Sequence, residues 1–240
     1  SGGAGFLGSH LCDLYIQAGW DVICVDNECT GRQQNVAHLM ANPAFTWWKH
    51  DVTEGLPVDG GLDLVLHMAS LASPPAYKKF PLETLSVGSL GTWRCLELAE
   101  EKGARFVFAS TSEVYGDPTV SPQPESYWGN VNPVGPRSMY DESKRFGEAL
   151  VTAFRESRGV DAGIVRIFNT YGPRMRPDDG RVVTAFLGQI HAGEALTIHG
   201  GGLQTRSFCY VADLVRGLAG FAESGHTGPM NLGNPYDEMS

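Results

Sequence analysis

The chain is short of cationic side chains and has neither paired cysteines nor a long apolar run. Its 18 Lys and Arg stand against 27 Asp and Glu, a net charge of −9. A nucleic-acid partner needs a basic face, so that class is excluded. An anionic small ligand is not excluded, because a few local arginines suffice for it. The five cysteines, Cys12, Cys24, Cys29, Cys95 and Cys209, are odd in number and scattered, without a CxxC pair or a His/Cys cluster at zinc spacing. No metal site is expected, and the thiols read as reduced ones in a cytoplasmic protein. No run reaches about 18 apolar residues, so no membrane span is expected within these residues. Internal repeats, low-complexity tracts and linkers long enough to part independent domains are also missing. The sequence opens at Ser1-Gly2-Gly3, already inside a motif. The strand expected before it, and any targeting segment or membrane anchor, would lie upstream.

What is present is a globular composition, 42% hydrophobic and 19% charged, laid out as alternating strands and helices. Gly2, Gly5 and Gly8 lead into a helix with Leu7, Leu11, Leu14 and Tyr15 apolar. The run Asp21 to Asp26 then reads as a buried parallel strand ending in a carboxylate. Glycines let a backbone approach a pyrophosphate, which the following helix N-terminus holds. A carboxylate at Asp26 accepts hydrogen bonds from adenosine ribose hydroxyls and repels a 2′-phosphate, which favours NAD over NADP. Further strand ends fall at Asp51-Val52 and at Met68-Ala69-Ser70. In a parallel sheet these ends border the ligand crevice.

The expected fold is a Rossmann-type, doubly wound parallel α/β sheet over residues 1–168. A smaller substrate-binding lobe is expected over 169–240, interleaved with it. Within this frame Ser73 to Tyr77 reads as a stiff turn, residues 82–102 as one long helix apolar on several faces, and 34–40 as a short helix. Residues 196–198 read as a short strand. A multi-faced helix packed beside a second helix suggests a homodimer with a four-helix interface.

The chemistry gathers at Tyr140-Asp141-Glu142-Ser143-Lys144. These open an amphipathic helix whose apolar stripe is Phe146, Leu150, Val151 and Phe154. Residues four apart share a helix face, which makes the Tyr140 phenol and the Lys144 ammonium neighbours. A neighbouring cation lowers a tyrosine pKa from its reference near ~10. A poised phenolate can take a proton from an alcohol as a hydride leaves the same carbon. The hydroxyl-rich stretch Ser110 to Gly116, at another strand end, can orient that alcohol. In the last third, Arg174, Arg176, Arg181 and Arg206 suggest a clamp on an anionic group such as a diphosphate.

With these motifs in order the chain resembles the extended short-chain dehydrogenase/reductases. Within them it is most similar to the UDP-glucuronate decarboxylases, through Ser73-Pro74-Pro75-Ala76-Tyr77, the run Ser110 to Pro118, Tyr127-Trp128-Gly129, Gly172-Pro173-Arg174-Met175 and Asp179 to Val183. The resemblance implies a bound NAD, UDP-glucuronate as substrate, and a closed redox cycle: oxidation at the sugar C4, loss of carbon dioxide, and return of the hydride to give UDP-xylose. It implies Tyr140, Lys144, Thr111, Ser112 and Glu113 as catalytic residues. Cofactor contacts would come from Gly5, Phe6, Leu7, Asp26, Asn27, Thr30, Asp51, Val52, Met68, Ser70, Ala109, Tyr140, Lys144 and Thr170. Substrate contacts would come from Tyr77, Asn169, Arg176, Arg181, Thr184 and Arg206. Cys29 stands where the family commonly has an aromatic, and Val87 where it commonly has a hydroxyl residue. The rivals are a nucleotide-sugar 4,6-dehydratase, which normally carries Asp-Glu in place of Ser112-Glu113, a 4-epimerase, which normally lacks the Glu, and a non-catalytic NAD-binding regulator, which tends to lose the Tyr or the Lys.

Overall fold

The computed structural model describes residues 1–198 and 200–240. Helix α1 (Phe6–Gln17) follows the glycine-rich opening. After it come strands β1 (Val22–Asp26), β2 (Phe45–Lys49) and β3 (Leu64–His67), helices α2 (Pro74–Lys79), α3 (Pro81–Ser86) and α4 (Thr92–Lys102), and strand β4 (Arg105–Thr111). Helix α5 (Ser138–Arg158), β5 (Ala162–Ile167), β6 (Thr170–Tyr171), α6 (Val182–Ala192), β7 (Arg206–Ser207), β8 (Cys209–Tyr210), α7 (Val211–Glu223), β9 (Met230–Leu232) and β10 (Glu238–Met239) complete the chain.

The main sheet is parallel in the order β3-β4-β5-β9, and β1 pairs in parallel with β2. The opening residues join the two: the Ser1 amine donates to the Leu66 carbonyl, Met68 N–H to the Ser1 carbonyl, and Gly3 N–H to the Val25 carbonyl. A strand covered on both faces reads as a continuous apolar run, and β4 is buried at every position. Its period-2 alternation supplies two cores. Phe106 and Phe108 pack with Leu96, Leu150, Val151 and Phe154 of α4 and α5. Val107, with Val165 of β5, packs with Leu11 and Tyr15 of α1 and Leu214 and Leu218 of α7. The result is the doubly wound α/β architecture expected from the alternation. In the last third, β9 pairs with β5 of the main sheet and α7 packs against one face of it. Two short pairs, β6 with β8 and β7 with β10, carry the remainder.

Several local expectations are corrected. Ser73 to Tyr77 is not a turn but the start of α2, because Pro74 and Pro75 occupy first-turn positions where a missing N–H costs nothing. Residues 82–102 are not one regular helix: a π-helical turn, Val87–Gly91, separates α3 from α4. Gly88 in that turn touches α5 so closely that a Cβ there would lie 2.6 Å from the Ser143 Cβ. Residues 34–40 form two 3-10 turns, Gln33–Asn35 and Ala37–Leu39. Residues 196–198 are not in a strand; the Gln189 amide instead holds Thr197 through its N–H and hydroxyl. Phe146 is off the α5 stripe and 49% exposed.

Candidate active site

Parallel strands carry all their C-terminal ends to one edge. Asp26, His67, Thr111 and Ile167 finish there, and beyond them opens a cleft of about 1670 Å³. The sheet and its helices form one wall. Residues of the last third, from Asn169 through α6 to Met239, form the other.

At one end lies the glycine loop. Gly2 has φ +71°, and a Cβ on Gly8 would sit 2.1 Å from the Gly2 carbonyl oxygen, so no side chain fits at that close approach. Gly5 caps α1, whose first-turn N–H groups have no intrahelical acceptor and face the position of an anion. Asp26 is buried and accepts from the Ala4 and Glu28 amides, one on each oxygen. Burial pushes its carboxyl up, and those two hydrogen bonds oppose the push. Each oxygen keeps a further lone pair for a ribose hydroxyl. Asn27 donates to Asp51, which also accepts from the Thr53 amide and hydroxyl.

At the other end α5 delivers Tyr140 and Lys144, only 6% and 3% exposed. Tyr140 stacks on Tyr77, with ring centroids 5.4 Å apart and planes 10° from parallel. The Lys144 ammonium donates to the Ala109 carbonyl at 2.6 Å and stands 5.0 Å from the Phe108 ring centroid. The expected cation effect on Tyr140 is overturned. Burial dominates and pushes the phenol above its ordinary value, while its hydrogen bond with Thr111 and the Arg181 charge pull the other way. Lys144 is itself lowered to about 7 by burial, against the field of Glu148. Desolvation outweighs the neighbouring charges at Tyr140, which is why adjacency on the helix does not suffice.

The hydroxyl-rich strand end divides its work. Thr111 faces the cleft and accepts from the Glu113 amide at 3.2 Å. Ser110 and Tyr115 are committed elsewhere: Ser110 donates to Glu148, and Tyr115 donates to Asn231. Arg166 ties this network together, gripping Glu148 with two N–H groups and donating to the Tyr115 oxygen.

A family model described as the NAD dependent epimerase/dehydratase family matches residues 1–233. The chain belongs to that family. It is 52% identical over 98% of its length to UDP-glucuronic acid decarboxylase 1 of Arabidopsis thaliana, covering 54% of that protein. It is 50% identical over 99% of its length to UDP-glucuronic acid decarboxylase 1 of Xenopus tropicalis, covering 56% of it. The chain thus spans about half the length of these curated relatives. Among solved structures it is similar to the dTDP-glucose 4,6-dehydratase DesIV of Streptomyces venezuelae, which holds NAD and TYD. The TM-score is 0.86 at 26% identity, over 99% of this chain and 75% of that one.

The glycine cradle and the buried Asp26 fit the dinucleotide that names the family. The cleft also gathers nearly every residue singled out from sequence: Phe6, Leu7, Thr30, Val52, Met68, Ser70, Ala109, Ser112, Glu113, Asn169, Thr170, Arg176, Arg181 and Arg206 all line it. Thr184 does not; it is buried one turn into α6, where its hydroxyl donates to the Arg181 carbonyl. The four arginines are not equivalent. Arg174 pairs with Asp13 of α1, Arg176 with Asp178 and Arg181 with Asp179, whereas Arg206 is exposed and donates to the Thr205 carbonyl. Sequence reasoning passed over Arg137, which lines the cleft and pairs with Glu113. Its spacing three residues before Tyr140 on a helix start was the available signal.

Proposed function

We propose that the full protein decarboxylates UDP-glucuronate to UDP-xylose with NAD as a resident cofactor. The observation that carries this reading is the buried Tyr140 beside Thr111, Lys144 and the Ser112-Glu113 pair, in a chain about half identical to proteins named UDP-glucuronic acid decarboxylase. Bound NAD would supply a hydride acceptor and later return the same hydride, so that the sugar C4 is a ketone while carbon dioxide leaves. Tyr140 takes the proton of the 4-hydroxyl, and Thr111 holds that hydroxyl by a shared hydrogen bond. A tyrosine raised by burial is a strong base once ionised, and Lys144 on the same helix face would stabilise that phenolate in its protonated form. Ser112 and Glu113 face the reacting carbon and its carboxylate. A ketone β to the carboxylate makes its loss easy, because the electron pair becomes an enolate. A proton from solvent then adds to the enolate carbon and restores the ketone; as the hydride would return to C4, Tyr140 gives its proton back to the 4-oxygen and the cycle closes.

Gly2, Gly5, Gly8, Asp26, Asn27 and Asp51 would hold the adenosine and pyrophosphate of NAD, with Asp26 setting the preference over NADP. Tyr77, Asn169, Arg176, Arg181 and Arg206 would hold the UDP-sugar, with Thr184 supporting Arg181 from behind. The exposed apolar residues Leu82, Leu85, Leu90, Trp93 and Phe146 lie on α3, the π-helical turn, α4 and α5. They support a homodimer through these helices. No described helix is long and apolar enough to cross a membrane. Five free thiols, four of them buried, suit the cytoplasm.

The test is incubation of the full-length protein with UDP-glucuronate and NAD. Carbon dioxide and a UDP-pentose, formed without added reductant, are the expected products. A 4-epimer or a 4,6-dehydrated sugar would place the chain with other members of its family instead.

A further inference from the structure

Arg137 stands at the head of α5 and reaches into the cleft. Its guanidinium pairs with the Glu113 carboxylate and lies 3.9 Å from Asp141 Oδ1. That Asp141 oxygen is buried and has no hydrogen-bond partner among the described residues. The guanidinium is therefore held between two carboxylates. Its charge opposes the upward push of burial on the Tyr77 phenol. With 46% of its side chain exposed, Arg137 retains donors that the Glu113 pair does not use.

A uronate brings its own carboxylate to the place where Glu113 already has one. Two adjacent carboxylates resist being ionised together, so an acidic sugar meets repulsion at this spot unless a cation is shared. A planar guanidinium can grip one carboxylate and still present N–H groups to a second. A neutral sugar at the same place asks nothing of it.

Resting on the decarboxylase reading above, we propose that Arg137 is the specificity residue for the acidic sugar: it anchors Glu113 and receives the sugar carboxylate. Removing it then affects uronate binding and leaves neutral-sugar binding alone. Removing the Glu113 charge has the opposite sign, since it frees the guanidinium from its competitor.

Calorimetric titration of the full-length, NAD-loaded protein with UDP-glucuronate and with UDP-glucose tests this, with each variant placed on a Tyr140→Phe background so that binding is read without turnover, because the two sugars differ only at the carboxylate carbon. For Arg137→Ala the preference for UDP-glucuronate over UDP-glucose should drop about tenfold or more, the range a charge-assisted hydrogen bond carries. UDP-glucose affinity should stay unchanged. Arg137→Lys, which keeps a charge without the fork, should restore part of the preference. Glu113→Gln should bind UDP-glucuronate more tightly than the Tyr140→Phe parent and, with Tyr140 restored, turn it over more slowly than the wild type. Equal loss of both sugars in Arg137→Ala would mark a structural role and overturn the proposal, as would an unchanged preference. If Arg137→Ala fails to fold, Arg137→Gln decides: a reduced preference for UDP-glucuronate at unchanged UDP-glucose affinity supports the proposal, and an unchanged preference overturns it. Wild-type protein that converts no UDP-glucuronate would instead sink the decarboxylase reading, a separate and visible failure.

Discussion

On the sheet side of the cleft Asp26, Tyr140 and Lys144 are each less than a tenth exposed, and backbone groups hold Asp26 and Lys144: the Ala4 and Glu28 amides for the aspartate, the Ala109 carbonyl for the lysine. On the lobe side Arg206 is exposed, Arg176 and Arg181 are paired with aspartates two residues away, and α6 shows Leu187 and Ile190 to solvent. The first wall is fixed by the core of the fold. The second is held by local pairs that an incoming anion can displace. Chemistry that depends on a proton's position belongs on the rigid wall, and recognition of a charged, flexible ligand suits the other.

The largest effect that would sharpen this contrast is a core deletion beneath the sheet wall. Phe106 is fully buried against α4 and α5, so Phe106→Ala should cost about 3–5 kcal/mol of stability, measured by urea denaturation. A loss near that of a surface change would mean that the wall does not rest on this core.

The contrast also explains what could be read from sequence. Continuous apolar runs such as Arg105 to Thr111 signal buried parallel strands, and the Gly2, Gly5, Gly8 spacing with Asp26 signals the loop, because each depends on short-range backbone geometry. The division of residues 82–102 was hidden, since a π-helical turn depends on the fit of Gly88 against Ser143 of another helix. So was the charge state of Lys144. The pattern Y-x-x-x-K places the two side chains on one face but carries no information on desolvation, and desolvation is the larger influence on both. The spacing of Arg137 before Tyr140 was legible, but its pairing was hidden, because its partner Glu113 lies on another element.

A second, smaller effect follows from Lys144. Burial lowers it to about 7 in the fold, while an unfolded lysine titrates near ~10.4. Between these values the unfolded chain holds a proton that the folded chain has released. Unfolding takes that proton up, so raising the pH through this window stabilises the fold. Lys144→Met should flatten the rise between about pH 7 and 10 in thermal melts of the ligand-free protein, and parallel curves for the two proteins would contradict the account.

The smallest effect is expected on the other wall. Leu187→Ser, on α6 at the cleft wall and 61% exposed, should change stability by no more than about 0.5 kcal/mol. A loss several times larger would show that the lobe is packed as firmly as the sheet, and the contrast would fail.

The central claim is that Tyr140 is the proton acceptor, and Tyr140→Phe tests it most directly. The change keeps the ring on Tyr77 and deletes a hydroxyl whose hydrogen bond contributes about 1 kcal/mol, so folding and UDP-sugar binding should persist. The measurement is nicotinamide absorbance after rapid mixing of the NAD-loaded protein with UDP-glucuronate. Reduced cofactor should form at least ~10²-fold more slowly than in the wild type. Formation at the wild-type rate would assign the proton to another residue and contradict the account.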